Sequence, residues 1–544
     1  MRKTRFLCLL LVVFLLAGCR EETAMEKPQE DAMEEKLAEL RKSGPAVPDD
    51  CGTFYELFVY SFRDSNGDGI GDLPGVISGL DYLQDLGVDG IWLMPIHESP
   101  SYHKYDVTDY RTIDPAYGTM EDFDRLMAET EKRGIPVILD LVLNHTGDTH
   151  PWFTQAVSYL SGLSPDEEPD YEICPQAEYY QFKRADSCPP AHHPVPGAAG
   201  WYYEGQFSPH MPDVNFGCAA LREEQKKIME FWLQKGVDGF RLDAAKEFCT
   251  GQTEKNLEVL RWIRDTARTI QPDCLLVAEV WDSFSMLTDY YGSGFPSLFN
   301  FAFAGPEGKI IKTLRAAGNP DVTASYAQAL EKADRAFRGQ NPAYRDAPFL
   351  SNHDLGRIAG FAGRKPEQTK LAAAMNLFMS GNAFLYYGEE LGMVCGAVDD
   401  PSCRAPMYWN SRGDGGMTQP PPGCTLPEEY PFGSLEDQEK DPWSVYNYYR
   451  QALAIRHGIP AISRGIPREE AGLNQGTVSA CRKTWQGETC LILMNISDQP
   501  AKADLQDYGE FSLQASLCVS AEEACQENAH LLLPPWAVAV LAVK

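Results

Sequence analysis

From residue 54 onward the chain alternates between short apolar runs and longer amphipathic stretches. The runs are FYELFVYSF (54–62), GVDGIWLMPI (87–96), IPVILDLVLNH (135–145), VDGFRLDAA (237–245), CLLVAEVW (274–281), SLFNFAF (297–303), APFLSNHD (347–354) and NAFLYYGEELG (382–392). They lack the apolar/polar alternation of half-exposed strands, so they read as strands buried on both faces of a parallel sheet. Between them, MEDFDRLMAETEKRG (120–134) and REEQKKIMEFWLQKG (222–236) have helical periodicity and end in glycine. Eight strand–helix units predict an α/β protein built on a (β/α)8 TIM barrel, with a doubly wound open sheet as the competing topology.

Two intervals break the rhythm. About 70 residues rich in Pro, Gly and aromatics separate the third strand from the helix near Ala219, which predicts a small inserted domain. Beyond WSVYNYYRQALAIRHG (443–458), the segments GTVSACRKTW, ETCLILMNIS and WAVAVLAV are strand-like, with QGE as a hairpin turn. The predicted organisation is a barrel over 51–145 and 216–455, an inserted domain over 146–215, and an all-β sandwich over 456–544.

The first fifty residues carry a different signal. MRKTRF is basic, LCLLLVVFLL is apolar but too short to span a membrane, and LAGC ends at Cys19. This predicts a secretion signal over 1–18 and a lipidated tether over 19–50, with Cys19 as the lipid site of an exported bacterial lipoprotein at the cell surface. Thirteen further cysteines remain after Cys8 and Cys19. The short-range pairs Cys174/Cys188, Cys395/Cys403, Cys481/Cys490 and Cys518/Cys525 are candidates for disulfides.

Composition narrows the partners. With 48 Lys and Arg against 78 Asp and Glu, the net charge is −30. Such a field repels phosphate backbones and argues against nucleic acid.

Reactive groups of a barrel sit where strands end at its C-terminal face. Asp243, Glu279 and Asp354 each follow an apolar run to such an end, and His145 and His353 stand at two of the ends. Arg241, two positions before Asp243, shares its strand face and can hold Asp243 ionised while Glu279 keeps its proton. One charged and one neutral carboxyl is what glycoside cleavage requires. Capping or buried ion pairing is the alternative for any single one of them.

DLVLNH (140–145), GFRLDAAKE (239–247), AEVWD (278–282) and FLSNHD (349–354) resemble, in order and spacing, four signature regions of the alpha-amylase family, glycoside hydrolase family 13. MPDVNF (211–216) and SYHKYD (101–106) resemble two more. The resemblance is to bacterial lipoprotein amylases of the group intermediate between oligo-1,6-glucosidases and neopullulanases. It implies a catalytic barrel with domain B after the third strand and a β-sandwich domain C. It also implies Asp243 as nucleophile, Glu279 as acid/base and Asp354 as transition-state stabiliser. Tyr105, His103, Asp106, His145, Arg241, Lys246, His353 and Arg357 would contact or orient the sugar. The expected substrate is an α-glucan, and a surface-anchored form would work beside glycan-uptake proteins.

DSNGDGIGD (64–72) opens like an EF-hand loop, but Gly75 stands where the twelfth-position glutamate belongs. Many bacterial members of the family carry a similar loop holding structural Ca2+. By that resemblance Asp64, Asn66, Asp68, the Ile70 carbonyl and Asp72 are the expected ligands. The chain departs from the family at Glu247, where histidine is common and a second calcium at Asn144 and Asp213 depends on it, and at Lys104, where glycine is common. Ala244 after Asp243 goes with α-1,4 cleavage, since α-1,6-cleaving relatives usually have valine there. Trp201, Tyr202, Tyr203 and Trp409 are candidate sugar platforms. Open alternatives are an α-glucosidase, a neopullulanase or cyclodextrin-degrading enzyme, a transglycosylase, and a non-catalytic glucan-binding lipoprotein.

Overall fold

A computed structural model describes residues 51–164 and 167–543. Cys19, the signal and the tether lie outside the described residues. Eight parallel strands alternate with helices: β1 (Thr53–Leu57), β2 (Gly90–Leu93), β3 (Val137–Leu141), β4 (Gly239–Leu242), β5 (Leu275–Ala278), β6 (Ser297–Phe299), β7 (Arg345–Ala347) and β8 (Ala383–Tyr386). Their sheet order is β7-β6-β5-β4-β3-β2-β1-β8. Backbone hydrogen bonds from Asn382 N to Asp346 O and from Phe384 N to Pro348 O, both 2.8 Å, join its two ends. The sheet is a barrel, as the eight apolar runs predict, and the open-sheet competitor falls away.

The strands are shorter than the runs. FYELFVYSF is strand only to Leu57, and Val59–Phe62 turns into one helical turn. APFLSNHD is mostly loop, because β7 ends at Ala347. Both residual segments are apolar for the same reason, since Phe58, Val59, Phe62, Phe349 and Leu350 pack inside.

Helix ends follow local chemistry. Met120–Arg133 starts at a reciprocal Thr119/Asp122 capping box and stops at Gly134 with φ +67°. The REEQKKIMEFWLQKG pattern lies in the helix Ala219–Gln234.

Between β3 and that helix come the helix Pro151–Ser161 and a three-stranded antiparallel sheet of Phe182–Arg184, His192–Pro194 and Trp201–Glu204. The C-terminal part holds a five-stranded and a three-stranded antiparallel sheet. Leu491, Leu493 and Leu541 of the first pack with Ala503, Leu531 and Leu533 of the second. Its hairpin turns at Gln486 and Gly487, φ +48° and +89°, between the paired Trp485 and Glu488, the backbone a two-residue turn demands. No helix among the described residues is long and apolar enough to cross a membrane.

Inside the barrel, Phe54, Trp92, Ile138, Val277, Phe299, Ala347, Phe349 and Phe384 form an apolar plug. Side chains two positions further along a strand share its face. Glu56 therefore stands above Phe54, Asp140 above Ile138, and Glu279 above Val277. The strand period thus stacks a charged layer on the apolar one, at the C-terminal mouth where barrels keep their chemistry.

Candidate active site

Arg241 is the hub of that layer. Its guanidinium is fully buried and lies 5.0 Å over the Trp92 ring. Nη1 donates to Asp140 Oδ1 at 2.9 Å and to Asp243 Oδ1 at 2.7 Å, while Nη2 donates to Glu279 Oε2. One guanidinium fork therefore bridges both carboxyls of the predicted acid pair. Asp243 and Glu279 keep 12% side-chain exposure and Asp354 keeps 27%, enough to meet a ligand in the mouth. The backbone just after Asp243 is unusual, since Ala244 has φ +45°, a left-handed conformation that a β-branched residue would resist.

Asp354 joins the cluster from the loop after β7. His353 Nε2 lies 3.1 Å from its Oδ2, and Arg404 Nη2 is 3.0 Å from its Oδ1. His353 Nε2 also meets Tyr105 Oη at 2.7 Å, and Tyr105 donates onward to Asp140 at 3.0 Å. The Tyr105 and His353 rings stack 5.4 Å apart. On its other nitrogen, His353 Nδ1 lies 2.6 Å from Glu56 Oε1. The three acids from distant parts of the chain are thus gathered in one network.

Their protonation differs by environment. Burial raises the Glu279 carboxyl; Arg241 opposes this, Asp243 and Asp354 add to it, and the result is about 8. Arg241 is therefore not reserved for Asp243 as its position in the sequence implies; burial first, with the neighbouring carboxyls adding, favours the protonated Glu279 despite it. Burial also acts to raise Asp354, but His353, Arg404 and Arg241 outweigh it and hold that carboxyl well below the ordinary range. Burial alone would lower His353, yet Asp354 and Glu56 push it up to about 10. His145 is shifted down by burial, which favours a neutral ring.

The remaining predicted residues divide. Buried His145 keeps Nε2 without a partner, ready for a ligand. His103 Nδ1 accepts from Tyr105 N at 3.1 Å. Asp106 accepts from Ser99 Oγ at 2.6 Å and from Ser101 Oγ, so it is tied to its own loop. Lys246 reaches Asp282 at 3.1 Å and the Trp281 carbonyl at 3.2 Å. Arg357 is not brought to the carboxyls: it is 2% exposed, stacks over Tyr386 and Tyr387, and donates to Tyr387 O at 2.6 Å. Arg404 arrives instead, from a loop with no recognisable sequence signal. Glu56 and Asp140 had one, an acid inside a strand buried on both faces. Among the aromatics, Trp409 is core, donating to Phe62 O at 2.7 Å, and Trp201 and Tyr203 are buried, while Tyr202 is half-buried. Trp281, beside Lys246, is 48% exposed and stacked on Phe301, a platform the sequence did not single out.

In the DSNGDGIGD loop, Asp64 accepts from the backbone of Asn66, Gly67 and Gly69, Asn66 from Asp68, and Asp68 from Ile70. Asp64, Asn66 and Asp68 thus wind the chain as an EF-hand opening does, each with acceptor capacity left. Asp72 departs from the expectation: it caps the helix Leu73–Ser78 through Gly75 N at 2.6 Å and takes Ser65 Oγ at 2.8 Å. No three His, Cys, Asp or Glu among the described residues are gathered as a metal site, so a cation here relies on Asn66 and backbone carbonyls besides Asp64 and Asp68. At the second position Asn144 Nδ2 meets Asp213 at 3.0 Å, and the buried Asn144 Oδ1 has no partner. Burial, with Glu204 and Glu247 adding, raises Asp213 to about 7. Of the candidate cysteine pairs, Cys395 and Cys403 bring their sulfurs to 3.2 Å.

The family model of the alpha-amylase catalytic domain matches residues 56–465. The chain belongs to the alpha-amylase family. It is 37% identical over 447 residues to Alpha-amylase 3 of Dictyoglomus thermophilum, covering 82% of this chain and 84% of that one. It is 29% identical to a probable alpha-glucosidase of Rhizobium meliloti, covering 83% and 90% respectively. Among solved structures, Eubacterium rectale Amy13B superposes with a TM-score of 0.89 at 39% identity, covering 93% of this chain and 99% of that one. With this membership the protein is a glycoside hydrolase, and the sequence resemblance to family 13 holds.

Proposed function

We propose that this enzyme hydrolyses internal α-1,4 bonds of starch, maltodextrins and related α-glucans with retention of configuration. The observation that carries the mechanism is the single Arg241 fork joining Asp243 to Glu279. Retention needs the two carboxyls about 5–5.5 Å apart, and one shared guanidinium keeps Asp243 and Glu279 neighbours. Asp243 attacks the anomeric carbon while Glu279, kept protonated, gives its proton to the leaving oxygen. Glu279 then takes a proton from water, which attacks the same carbon and releases Asp243. Asp354 and His353 hold the ring hydroxyls and stabilise the oxocarbenium-like charge, His145 adds a hydrogen bond, and Tyr105 stacks on the sugar.

Ala244 in place of valine and the 37% identical Dictyoglomus alpha-amylase support α-1,4 over α-1,6 cleavage. Reducing-sugar release from soluble starch, pullulan and isomaltose separates the readings, with Asp243→Asn as control. Starch turnover is expected; isomaltose as the preferred substrate would favour the glucosidase reading, which the Rhizobium relative keeps open. Binding of starch without turnover by either protein would point to glucan capture.

Two accessory features belong to the same proposal. Ca2+ held by Asp64, Asn66, Asp68 and the Ile70 carbonyl would pin the loop after β1, supplying structural charge and no chemistry. Export with lipidation at Cys19 would place the enzyme on the cell envelope among glycan-uptake proteins. Cys19→Ala should release it from the membrane fraction, and an unchanged membrane fraction would remove the anchor.

A further inference from the structure

Glu56 is a charged residue of the cluster to which the catalytic scheme gives no role. It sits in β1, opposite Trp92 in register, and is 1% exposed. Its Oε1 lies 2.6 Å from His353 Nδ1 and also accepts from His353 N at 3.3 Å. On the far side of the ring, Nε2 faces Asp354 at 3.1 Å and Tyr105 Oη at 2.7 Å. A neutral imidazole donates from one nitrogen only, whereas a ring between two carboxylates needs both nitrogens to donate.

We propose that Glu56 is a positioning residue that holds His353 as an imidazolium, so that Nε2 is fixed as a hydrogen-bond donor beside Asp354 throughout the working pH range. The inference rests on the catalytic reading above and extends it to a residue outside the signature regions.

The charges around the ring agree. Glu56 approaches from β1, Asp140 from β3 by way of Tyr105, Glu279 and Arg241 from the neighbouring strands, and Asp354 from its own loop. Arg404 donates to the His353 carbonyl at 3.1 Å and therefore meets its backbone, away from the ring nitrogens. The edge of Trp92, 5.8 Å away, closes the ring's flank. Burial raises the Glu56 carboxyl and His353 opposes this. Where the shared proton resides is therefore the point to test.

In Glu56→Gln the amide oxygen can still accept from Nδ1–H, but the charge is gone. With that charge removed, only Asp354 remains to hold the second proton, and His353 gives it up at lower pH than in wild type. The Nε2 donor then becomes optional, since the neutral ring can hold its one proton on Nδ1.

The direct readout is the 15N spectrum of imidazole-labelled protein, with His353 assigned from a His353→Asn sample. Wild type is expected to show two protonated-type ring nitrogens at pH 8.5, and Glu56→Gln a neutral ring there. The kcat/KM of Glu56→Gln on maltoheptaose should begin to fall at lower pH than that of wild type, which Glu279 sustains to about pH 8. Glu56→Asp should restore the imidazolium signal at least in part. A neutral His353 in wild type at pH 7.5, or an imidazolium persisting in Glu56→Gln at pH 8.5, overturns the proposal. The wild-type spectrum decides even if Glu56→Gln does not fold. Absence of glucan hydrolysis by wild type would defeat the catalytic reading and leave the spectrum to judge Glu56 on its own.

Discussion

Lys104 shows what a single departure from the family pattern costs and what offsets it. Its φ is +66°, the left-handed region where glycine is at ease and other residues lose about 1–2 kcal/mol. The lysine is kept there by its far end, with Nζ 2.7 Å from Asp114 Oδ2 and 3.2 Å from Ser99 O, both side chains under 10% exposed. Lys104→Gly should relax the backbone yet strand a buried carboxylate, and breaking such a pair costs about 3–5 kcal/mol. A net loss of about 2–3 kcal/mol in urea unfolding is expected, mostly regained in Lys104→Gly/Asp114→Asn. A stabilised Lys104→Gly would refute the pairing argument. Glu279 carries the complementary lesson in pH. Its folded carboxyl sits near 8 against an ordinary 4.5, so the native state binds the extra proton. The stability this gives is complete below pH 4.5 and is lost as pH rises through about 8. Glu279→Gln should therefore melt higher than wild type, with a larger gain at pH 8.5 than at pH 5. Its kcat on maltoheptaose should fall by about 10²–10⁴-fold. Equal melting shifts at both pH values would show that Glu279 is ionised in the folded enzyme.

At the scale of elements, apolar runs located the barrel strands, all but Arg345–Ala347, which opens on two charged residues and meets its run only at Ala347, because a strand buried on both faces has few polar positions to spare. They overstated lengths where chain leaving the sheet stays inside, as at Phe58–Phe62 and Phe349–Leu350. The signature segments named Asp243 and Glu279, each directly after a strand end, and Asp354, which stands seven residues beyond Ala347 in the loop that follows. Arg404 was invisible, since a long loop after β8 brings it in and spacing does not report loop geometry; Arg357 was misplaced for the same reason. Asp72 reads as a ninth-position ligand but serves as an N-cap because Leu73 and Pro74 start a helix there. The loop before it should nevertheless tighten on a cation. Removing Ca2+ with a chelator should lower the melting temperature, and Asp64→Ala should abolish that difference. No change on chelation would discard the calcium proposal.

At the scale of the whole molecule, a buried lysine helps to join the barrel to the C-terminal sheet, beside the apolar contacts of Ile492, Met494 and Val540. Lys483, on the strand Val478–Trp485, sends Nζ to Phe378 O and Ile462 O at 2.6 Å each and to Ser380 Oγ at 3.0 Å. Lys483→Ala leaves those oxygens unmet and a void behind, a loss of about 2–4 kcal/mol. An unchanged urea midpoint would show that the join does not depend on it. No periodicity could have marked this residue, because its partners are two backbone carbonyls and a hydroxyl remote in sequence. The long charged arms are what sequence patterns read least well here; the carboxyls at the mouth are what they read best. Those carboxyls decide the account. Proton NMR of maltoheptaose during the first minutes of hydrolysis reports the anomeric form of the newly released end. Attack by Asp243 with Glu279 as acid predicts that the α-anomer appears first and then mutarotates, and that Asp243→Asn gives neither. First appearance of the β-anomer, or undiminished turnover by Asp243→Asn, would contradict it.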